Sequence, residues 1–376
     1  MHRLCTLSNA VAQGRQKSLA PEVLVSTRPA VLFPTASAPR ARRGLWSEEG
    51  LEDVEGLMLQ LCTGQRLDRL GTILWDHVAG GGKRLRARLV LAAAESLGLA
   101  RAEAVPWAAA CELLHNATLV HDDLQDGDRV RRDREAVWVR HGVTQAINAG
   151  DLGLMLPYRA LSHAAGSDAT RWRLADALAR GAEAVVRGQA AELDLPGRER
   201  ITWDDYAHAV SGKTSALFSL PVEGAALLAG MTPEAARAVA AEFAPIGLLF
   251  QIQDDVLDLW GDKGRGAPGS DIREGKISAP VVEHLRLHPR DDAWLRGILR
   301  LPRERTSDAT VSEVIERFTH GGALHAVWNQ LASLDDAVCD STVLARFGRL
   351  HSVACELVSR ALTPIIHTNP YPAEIL

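Results

Sequence analysis

An all-α fold is predicted by three observations on the part of the chain that begins at Trp46. Good helix formers, namely Ala, Leu, Arg and Glu, dominate its composition. Apolar residues recur there at three- and four-residue spacing, as in the stripe of Val90, Ala94 and Leu97. No alternating pattern typical of a strand competes with this periodicity. We therefore expect helix to follow helix through one large unit.

The helices are expected in chain order wherever this periodicity is sustained, and several of them end at a glycine. Their expected bounds are 101–126, 144–165, 170–193, 203–210, 214–230, 232–260, 275–287, 308–318, 321–337 and 342–361. Pro364, Pro370 and Pro372 predict an irregular tail over 363–376. Residues 45–362 are therefore expected to form a single all-α domain.

Residues 1–44 show no sustained period and are rich in Ser, Ala, Pro and Arg, with Glu22 as the only acid. We expect a flexible N-terminal extension. The acid-poor composition also fits an organelle transit peptide. Because the whole chain is rich in Ala and Arg, composition bias explains the extension equally well.

Bulk composition excludes several classes of function. A net charge of −5 and a pI near 6.2 give no overall attraction to nucleic acid or to an anionic membrane. No apolar run approaches the roughly 18 residues of a membrane span. The five cysteines include no CxxC pair, which argues against a zinc site or a disulfide framework. A cytoplasmic location is expected.

The main chemical signal is a repeated Asp-Asp-x-x-Asp motif. It occurs as Asp122, Asp123 and Asp126 in HDDLQD and as Asp254, Asp255 and Asp258 in QDDVLD. Positions i and i+4 of a helix lie one turn apart on one face, so each triplet concentrates carboxylates. Each triplet follows an apolar helical stretch and precedes Gly127 or Gly261, which places the acids near helix C-termini.

Acids at a helix C-terminus are disfavoured by ~0.3–1 kcal/mol, because that end of the macrodipole is negative. A cation should offset this cost. Oxygen ligands without His or Cys at ligand spacing select Mg²⁺, with Mn²⁺ as the alternative, over zinc. One triplet alone is equally well read as a solvated acidic surface. Two copies in nearly the same apolar context favour metal-binding motifs that face each other across a cavity.

Three basic clusters offer partners for phosphate, although each has a plainer interpretation. Gly80–Arg86 contains three glycines before a helix start, where backbone amides and basic side chains attract anions, but it is not a P-loop. Arg131 and Arg132 follow the first triplet, where an isolated pair would usually be surface charge. Ser211–Ser215 offers a lysine and hydroxyls, or merely an N-cap.

Two further polar residues lie on the triplet helices. Gln251, one turn before Asp254, either donates to a phosphate or satisfies a buried neighbour. His115, two turns before Asp122, is on its own more often a core residue than a ligand. No Ser-His-Asp or Cys-His arrangement and no dinucleotide fingerprint is evident, so hydrolase and dehydrogenase functions lose support.

Seven ordered motifs between about residues 48 and 360 resemble the trans-isoprenyl diphosphate synthases. This is the polyprenyl synthetase family, which includes farnesyl and geranylgeranyl diphosphate synthases. The motifs are GGKRLR at 81–86, HNATLVHDDLQD at 115–126, RR at 131–132, AINAGD at 146–151, GKTS at 212–215, FQIQDDVLD at 250–258 and GSDIREGK at 269–276.

The resemblance implies an all-α fold of the isoprenoid synthase type, with antiparallel helices around a deep central cavity, and usually a homodimer. It implies metal ligation above all by Asp122, Asp126 and Asp254, within a set completed by Asp123, Asp255 and Asp258. It implies contacts to isopentenyl diphosphate from Lys83, Arg86, His115 and Arg132. It implies contacts to the allylic diphosphate from Arg131, Lys213, Thr214, Gln251 and Lys276. Of these, Arg131 and Lys213 join Asp122, Asp126 and Asp254 as catalytic candidates.

The implied activity is a magnesium-dependent head-to-tail condensation of isopentenyl diphosphate with an allylic diphosphate. Metals and bases stabilise the departing diphosphate, so that the allylic C–O bond ionises to a carbocation. The alkene of isopentenyl diphosphate then attacks, and the released diphosphate takes the proton. Apolar helix faces shield the cation from water.

Product length is expected to depend on a floor formed by residues one or more turns before Asp122. Ala117 and Thr118 are not aromatic, so a floor that would stop growth at farnesyl length is absent there. Leu114, the next floor residue, is of moderate size. Each helical turn rises ~5.4 Å, close to one isoprene unit. Geranylgeranyl diphosphate is the expected product, with farnesyl and longer products as alternatives.

The sequence also departs from the family pattern. The usual Arg-Arg-Gly-x-Pro run continues here with Asp133, Arg134 and Glu135, which puts the loop geometry and local positive field in question. The usual proline after the glycine-rich motif is Ala87, and a usual lysine is replaced at Ala267. Two rival functions are a class I terpene cyclase, which GGKRLR disfavours, and a non-catalytic subunit of a heteromeric synthase.

Overall fold

The computed structural model describes residues 45–64, 68–261 and 268–369. Helices dominate these ranges, as the composition and periodicity predict. They are α1 Leu51–Thr63, α2 Arg69–Ala79, α3 Leu85–Ser96, α4 Arg101–Gln125, α5 Val137–His141, α6 Val143–Ala160, α7 Asp168–Asp194, α8 Trp203–Val210, α9 Ala216–Leu228, α10 Pro233–Ala241, α11 Ala244–Trp260, α12 Ser270–Arg273, α13 Ala279–Leu287, α14 Asp292–Leu299, α15 Asp308–His320, α16 Ala323–Cys339 and α17 Gly348–Leu362. A two-stranded antiparallel hairpin joins β1 Val130–Arg131 to β2 Arg134–Glu135.

Several helices begin at side chains that cap their first amides. Asp68 accepts a hydrogen bond from the Gly71 amide at 2.6 Å, and α2 follows. Ser167 caps α7 by accepting from the Thr170 amide at 3.2 Å. Such caps typically stabilise a helix by ~1 kcal/mol. Local sequence therefore sets these starts.

The predicted helix 232–260 is wrong as a single element. It divides into α10 and α11, with Glu242 and Phe243 between them. Pro245, at the second position of α11, has no amide hydrogen to continue a helix from α10, which accounts for the break. The predicted start at residue 275 is also wrong. Gly275 has φ +71°, and α13 begins only at Ala279.

Other expectations failed because their signals are short. The absence of strands is wrong at the hairpin of β1 and β2. The irregular tail is wrong at Thr363–Thr368, which forms a 3-10 helix with Ile365 fully buried, while residues 370–376 lie outside the described ranges. The elements α1, α2, α5, α12 and α14 were not predicted. Extended strand pairing over two residues leaves no periodicity for the sequence to display.

One hydrophobic core runs from Leu45 near the start of the described chain to Ile365 near its end. Small residues let its helices approach closely. Trp107 of α4 donates its indole N–H to the Pro221 carbonyl of α9 at 3.2 Å. A Cβ at Gly224 would come within 1.9 Å of the Trp107 ring, so only glycine admits this contact.

Within the described ranges, one stretch is long and apolar enough to cross a membrane by length and composition alone. It is Pro233–Trp260, although the sequence contains no unbroken apolar run of that length. Half of its most apolar window is buried inside the protein, and it includes the break between α10 and α11. Core helices of globular proteins pass the same test.

Candidate active site

Both acidic triplets lie at helix C-termini, as predicted. Asp126 is the C-cap residue of α4, and its amide donates to the Asp122 carbonyl at 2.8 Å. In the second triplet Asp258 lies in the last turn of α11, before the C-cap Gly261. Neither helix ends with a basic residue in its last turn. Cations must therefore come from other elements.

The outer and middle acids of the triplets have different environments. Asp122 and Asp126 are partly buried, with side chains 16% and 11% exposed, and Asp254 is exposed. The middle acids are buried: Asp123 is 0% and Asp255 3% exposed.

The buried middle acids have protein partners. Asp123 accepts from Nε of Arg131 at 2.7 Å. Asp255 accepts from the Tyr206 hydroxyl at 2.7 Å and from the Ala279 amide, also at 2.7 Å. The structure therefore ties Asp123 and Asp255 into the protein framework, and their place in the metal set remains a prediction.

Asp258, the last acid of the second triplet, is also buried, at 4% exposed. It accepts from the Asp271 amide of α12 at 3.0 Å. Its predicted metal contact is therefore less direct than that of the exposed Asp254.

Lysines from other elements supply the cations next to the first triplet. The Lys213 ammonium lies 3.9 Å from Asp122 and 2.6 Å from Glu192 of α7. The Lys276 ammonium lies 3.2 Å from Asp126 and 3.1 Å from Glu274. Burial opposes charging of both lysines, but the surrounding carboxylates outweigh it and raise the pKa of each. Both lysines therefore remain cationic where a diphosphate would need them.

Two segments connect the first triplet to the second. Ser211–Ser215 forms a π-helical turn between α8 and α9, in which Lys213 approaches Asp122 while the Thr214 hydroxyl donates to Gln251 of α11 at 3.4 Å. Gln251 in turn donates to Asp255 at 3.0 Å. The second segment runs from α12, in which the Asp271 amide donates to Asp258, to Lys276, which pairs with Asp126. The triplets are thus parts of one polar network.

Glycines of two helices hold the π-helical turn in place. A Cβ at Gly188 of α7 would come within 2.1 Å of the Lys213 amide nitrogen, and one at Gly212 within 2.7 Å of the Gly188 Cα. On the other side, a Cβ at Gly247 of α11 would come within 2.4 Å of the Ser215 Cα. The backbone around Lys213 is therefore packed directly against α7 and α11.

A cavity of about 910 Å³ adjoins this network and is mostly basic on one side. Its lining includes residues of α3, α4, α11 and α17 and of the hairpin turn. Residues that the sequence singled out are Lys83, Arg86, His115, Arg132 and Asp254. Others are Trp46, Arg84, Glu112, Phe250, Gln253, Glu356 and Arg360. The four predicted contacts for isopentenyl diphosphate therefore meet in one place.

Burial and neighbouring charges determine the protonation states of Arg86 and His115 on this basic side. Burial lowers the pKa of Arg86 to about 10, and Glu112 partly opposes the shift. Burial, followed by the charge of Arg86, lowers the pKa of His115 well below its usual value. Near neutral pH Arg86 is therefore charged and His115 is a neutral hydrogen-bonding group.

Arg131 and Arg132 point to different partners, although they are adjacent. Arg131 pairs with Asp123 and, at 3.2 Å, with Asp128. The Arg132 guanidinium lies against the cavity, 3.4 Å from the Asn116 side-chain oxygen. Arg131 is thus held by Asp123 and Asp128, whereas Arg132 faces the cavity beside the other basic residues.

The departure at Asp133 preserves a tight turn. Arg132 and Asp133 have φ of 54° and 61°, so both central residues of the two-residue hairpin are left-handed. That geometry matches a type I′ turn, which Asp tolerates better than most residues. Ala87, the other described departure, donates its amide to Glu112 at 3.1 Å, a bond that proline could not make. The third departure, Ala267, lies outside the described residues.

Several buried polar atoms that lack a hydrogen-bond partner among the described residues belong to the predicted site residues or to residues that contact them. They include Arg86 Nε, His115 Nδ1, Asp123 Oδ2, Gln189 Oε1 and Ser215 Oγ. An unsatisfied buried polar group typically costs ~1–3 kcal/mol. Such a cost is common where a ligand completes the network.

The acidic residues fit a divalent cation that is shared with a phosphate. Among the described ranges, no three His, Cys, Asp or Glu side chains converge closely enough to hold a metal ion by themselves. Mg²⁺ typically takes one or two carboxylates, several waters and substrate phosphate oxygens. Burial raises the pKa of Asp122 to about 6, with Lys213 opposing the shift, so a further cation would stabilise its ionised form. Ligation of that cation by Asp122, Asp126 and Asp254 remains a prediction.

The predicted floor residues are all buried on α4. Leu114 is 1%, Ala117 0% and Thr118 8% exposed. Ala117 lies against α6, where a Cβ at Gly153 would come within 2.8 Å of the Ala117 Cβ. The Thr118 hydroxyl donates to the His115 carbonyl at 2.8 Å. Their effect on chain length remains a prediction.

Sequence reasoning missed the contribution of α7. Glu192 pairs with Lys213, and the Gln189 amide lies 3.4 Å from Asp126. Gln189 and Glu192 lie one and four residues after Gly188, which is inside α7. A glycine within a helix, followed by polar residues three apart, was the available signal. Tyr206 and Glu274 left no comparable signal.

Two acidic helix ends, bridging lysines and a basic cavity within an all-α bundle define a diphosphate-handling synthase of the isoprenoid type. Residues 67–318 match the polyprenyl synthetase family. A geranylgeranyl diphosphate synthase of Methanosarcina mazei is 34% identical over 239 residues, which cover 63% of this chain and 74% of the relative. A (2E,6E)-farnesyl diphosphate synthase of Mycobacterium bovis is 39% identical over 206 residues, 54% of this chain and 56% of the relative.

Solved structures agree with this match. The polyprenyl synthase of Caulobacter crescentus, described as complexed with calcium and isoprenyl diphosphate, has a TM-score of 0.74 and 27% identity, and the match covers 86% of this chain and 99% of that one. The chain belongs to the polyprenyl synthetase family, and it is a prenyltransferase. The predicted family, fold class and enzyme class are therefore confirmed.

Proposed function

We propose that this prenyltransferase condenses isopentenyl diphosphate with an allylic diphosphate and releases geranylgeranyl diphosphate as its main product, with Mg²⁺ as the metal. The observation that carries the proposal is the connection of two compartments. Asp122, Asp126, Lys213 and Lys276 form one, and the 910 Å³ basic cavity beside Asp254 forms the other. Two diphosphate substrates need two such compartments.

In the proposed reaction the chain's own residues bind and orient both diphosphates. Lys213 and Lys276 would exchange carboxylate contacts for oxygens of the allylic diphosphate. Lys83, Arg86 and Arg132 would hold isopentenyl diphosphate, and neutral His115 would complete its hydrogen bonds. A divalent cation bound between the triplets would supply charge neutralisation to the leaving diphosphate.

The apolar boundary of the cavity would protect a developing allylic cation. Phe250 lines the cavity and stacks on Phe218 of α9, with ring centroids 5.0 Å apart. The Arg86 guanidinium lies 4.9 Å from the Phe218 centroid. This arrangement holds Arg86 against an aromatic surface and keeps that wall free of groups that would deliver water.

The proposed product, geranylgeranyl diphosphate, has alternatives. The relatives include proteins named as geranylgeranyl, farnesyl and short-chain synthases. Leu114, Ala117 and Thr118 carry no aromatic ring to block growth at farnesyl length. We keep farnesyl and longer products as alternatives, and a non-catalytic subunit as the remote one.

A homodimer is part of the proposal and is supported by an apolar face on α6. Val143, Ile147, Met155 and Tyr158 are 49%, 44%, 58% and 38% exposed. These positions recur at near-helical spacing, so they form one surface that a second copy would cover. Sedimentation of the purified protein at two concentrations measures whether it is a dimer. We also propose a cytoplasmic location, the domain bounds 45–362, and an extension over 1–44.

The decisive assay supplies labelled isopentenyl diphosphate with dimethylallyl, geranyl or farnesyl diphosphate, with and without Mg²⁺. We expect Mg²⁺-dependent condensation and a C20 alcohol after dephosphorylation. A C15 or longer main product would replace geranylgeranyl by the corresponding alternative. Failure to condense with all three primers would favour the non-catalytic subunit.

The glycine pair before α3 offers a test of the basic cavity. Gly81 and Gly82 have φ of 108° and 119°, so alanine strains the backbone at either position. A Cβ at Gly82 would lie 3.0 Å from the Arg132 guanidinium carbon, whereas one at Gly81 meets nothing within 4 Å. We expect Gly82→Ala to raise KM for isopentenyl diphosphate roughly tenfold by displacing Arg132.

Gly81→Ala is the matched control, because it adds the same kind of strain without touching Arg132. Steady-state kinetics with each substrate varied in turn separates the two effects. Both variants should lose similar thermal stability. Equal KM values for isopentenyl diphosphate in the two variants would remove Arg132 from the proposed binding set.

A further inference from the structure

Two cysteines that are 16 residues apart in sequence lie side by side where α16 and α17 pack together. The Cys339 sulfur at the end of α16 is 3.3 Å from the Cys355 sulfur in α17, and both residues are partly exposed. A disulfide has an S–S distance of ~2.05 Å, so closure requires the sulfurs to approach by roughly 1.3 Å. The sequence spacing alone predicted no such pair.

The surroundings give the two thiols different reactivity. The Cys339 thiol lies 3.2 Å from an Asp335 carboxylate oxygen, and a hydrogen bond from Cys339 lowers the pKa of Cys355. The same hydrogen bond, then burial, raises the pKa of Cys339. By contrast, burial raises the pKa of Cys62 to about 12, so that thiol is unreactive. Cys355 is the more nucleophilic member of the pair.

We propose that Cys339 and Cys355 form an oxidisable dithiol that closes to an intramolecular disulfide when the protein meets a peroxide. The Cys355 thiolate attacks one peroxide oxygen, the O–O bond breaks, and a sulfenic acid and water form. The Cys339 sulfur then attacks the Cys355 sulfur, the S–O bond breaks, and a second water leaves. Two thiols lose two protons and two electrons, and hydrogen peroxide is reduced to two waters.

The disulfide would fix α17 to α16, and α17 forms part of the active-site cavity. Glu356 and Arg360, one residue and just over one turn after Cys355, line that cavity. The Arg360 guanidinium lies 3.8 Å from the Trp46 ring centroid at the same wall. Oxidation therefore restrains the wall next to the bases that are proposed to bind isopentenyl diphosphate.

The test treats the full-length protein with hydrogen peroxide or with a thiol reductant. We expect intact mass to show the loss of two hydrogens, and non-reducing peptide mapping to join the peptides of Cys339 and Cys355. The melting temperature should rise by roughly 3–8 °C, because the bond joins residues that are 16 apart in sequence and so lowers the entropy of the unfolded chain. Cys339→Ser should abolish both changes, whereas Cys62→Ala should retain them.

A kinetic measurement tests the connection to the cavity. We expect KM for isopentenyl diphosphate to shift at least about twofold on oxidation of the wild type and to stay constant in Cys339→Ser. This arm rests on the proposed function, whereas mass and peptide mapping do not. Persistence of both thiols under peroxide, or pairing of either with Cys5, would overturn the dithiol. An unchanged KM in fully disulfide-bonded protein would overturn its connection to the cavity.

Discussion

Asp122→Asn and Asp254→Asn are each expected to lower the rate of condensation by roughly 10³-fold or more, because several kcal/mol of charge stabilisation at the departing diphosphate depend on the cation that these residues are proposed to hold. The fold should survive both changes. Asp122 is a partly buried carboxylate whose pKa burial raises to about 6, so replacing its charge removes an unfavourable group. Lys213 retains Glu192 at 2.6 Å. Single-turnover assays and thermal melts measure the two effects separately.

Asp133→Asn is the matched control for these variants. It removes one carboxylate from the loop after the first triplet, and asparagine accepts the left-handed φ of 61° as readily as aspartate does. We expect nearly unchanged condensation. A comparable loss in this variant would show that net negative charge near the loop, rather than ligation by Asp122, governs the rate.

Substitution of a buried middle acid should lower folding stability, in contrast to substitution of Asp122 or Asp254. Asp255 is buried and accepts from Tyr206 and Ala279, so Asp255→Asn should cost about 1–3 kcal/mol of folding stability. If Asp255 instead binds metal directly, its substitution should resemble Asp254→Asn: full stability and almost no activity. Thermal melts of the two variants side by side distinguish these outcomes.

Sequence alone predicts the parts of this site that repeat a local chemical pattern. Two Asp-Asp-x-x-Asp motifs on apolar helices, and a glycine-basic motif before α3, reveal their chemistry within a few residues. The resemblance to a family then adds the substrate contacts by position. All four predicted contacts for isopentenyl diphosphate line one cavity.

What the sequence does not predict depends on contacts between distant elements. Arg131 and Arg132 are adjacent in sequence, yet the hairpin sends one to Asp123 and the other to the cavity. The pairing of Glu192 with Lys213 requires α7 to pack on the turn after α8. No local period encodes such packing, because it follows from the tertiary arrangement of whole helices.

The π-helical turn shows the same limit. Ser211–Ser215 reads in sequence as a helix start with a possible N-cap, since Gly, Thr and Ser are common there. In the fold it interrupts a continuous helical path from α8 into α9 and points Lys213 toward Asp122. π-Helical turns occur frequently at functional sites, because they reorient side chains without ending the helix.

Gly188→Ala is accordingly expected to lower kcat roughly 10²-fold, because it pushes the backbone of Lys213 out of place. The added Cβ would lie 2.1 Å from the Lys213 amide nitrogen and 2.5 Å from the Gly212 carbonyl carbon. Backbone atoms cannot rotate away as a side chain can, so the turn must move by about 1 Å, which is enough for such a loss. KM for the allylic primer should rise more than KM for isopentenyl diphosphate, since Lys213 is proposed to bind the allylic diphosphate.

Gly181→Ala is the matched control on the same helix. Its Cβ would meet the end of the Leu220 side chain at 2.8 Å, which can turn aside, and both substitutions gain similar helix propensity. Its kinetics should remain near those of the wild type. If Gly188→Ala does not fold, Lys213→Met tests the same ammonium with the glycine contact intact. Wild-type kinetics in a folded Gly188→Ala protein would mean that α7 does not position Lys213, and the role of the π-helical turn would then be structural.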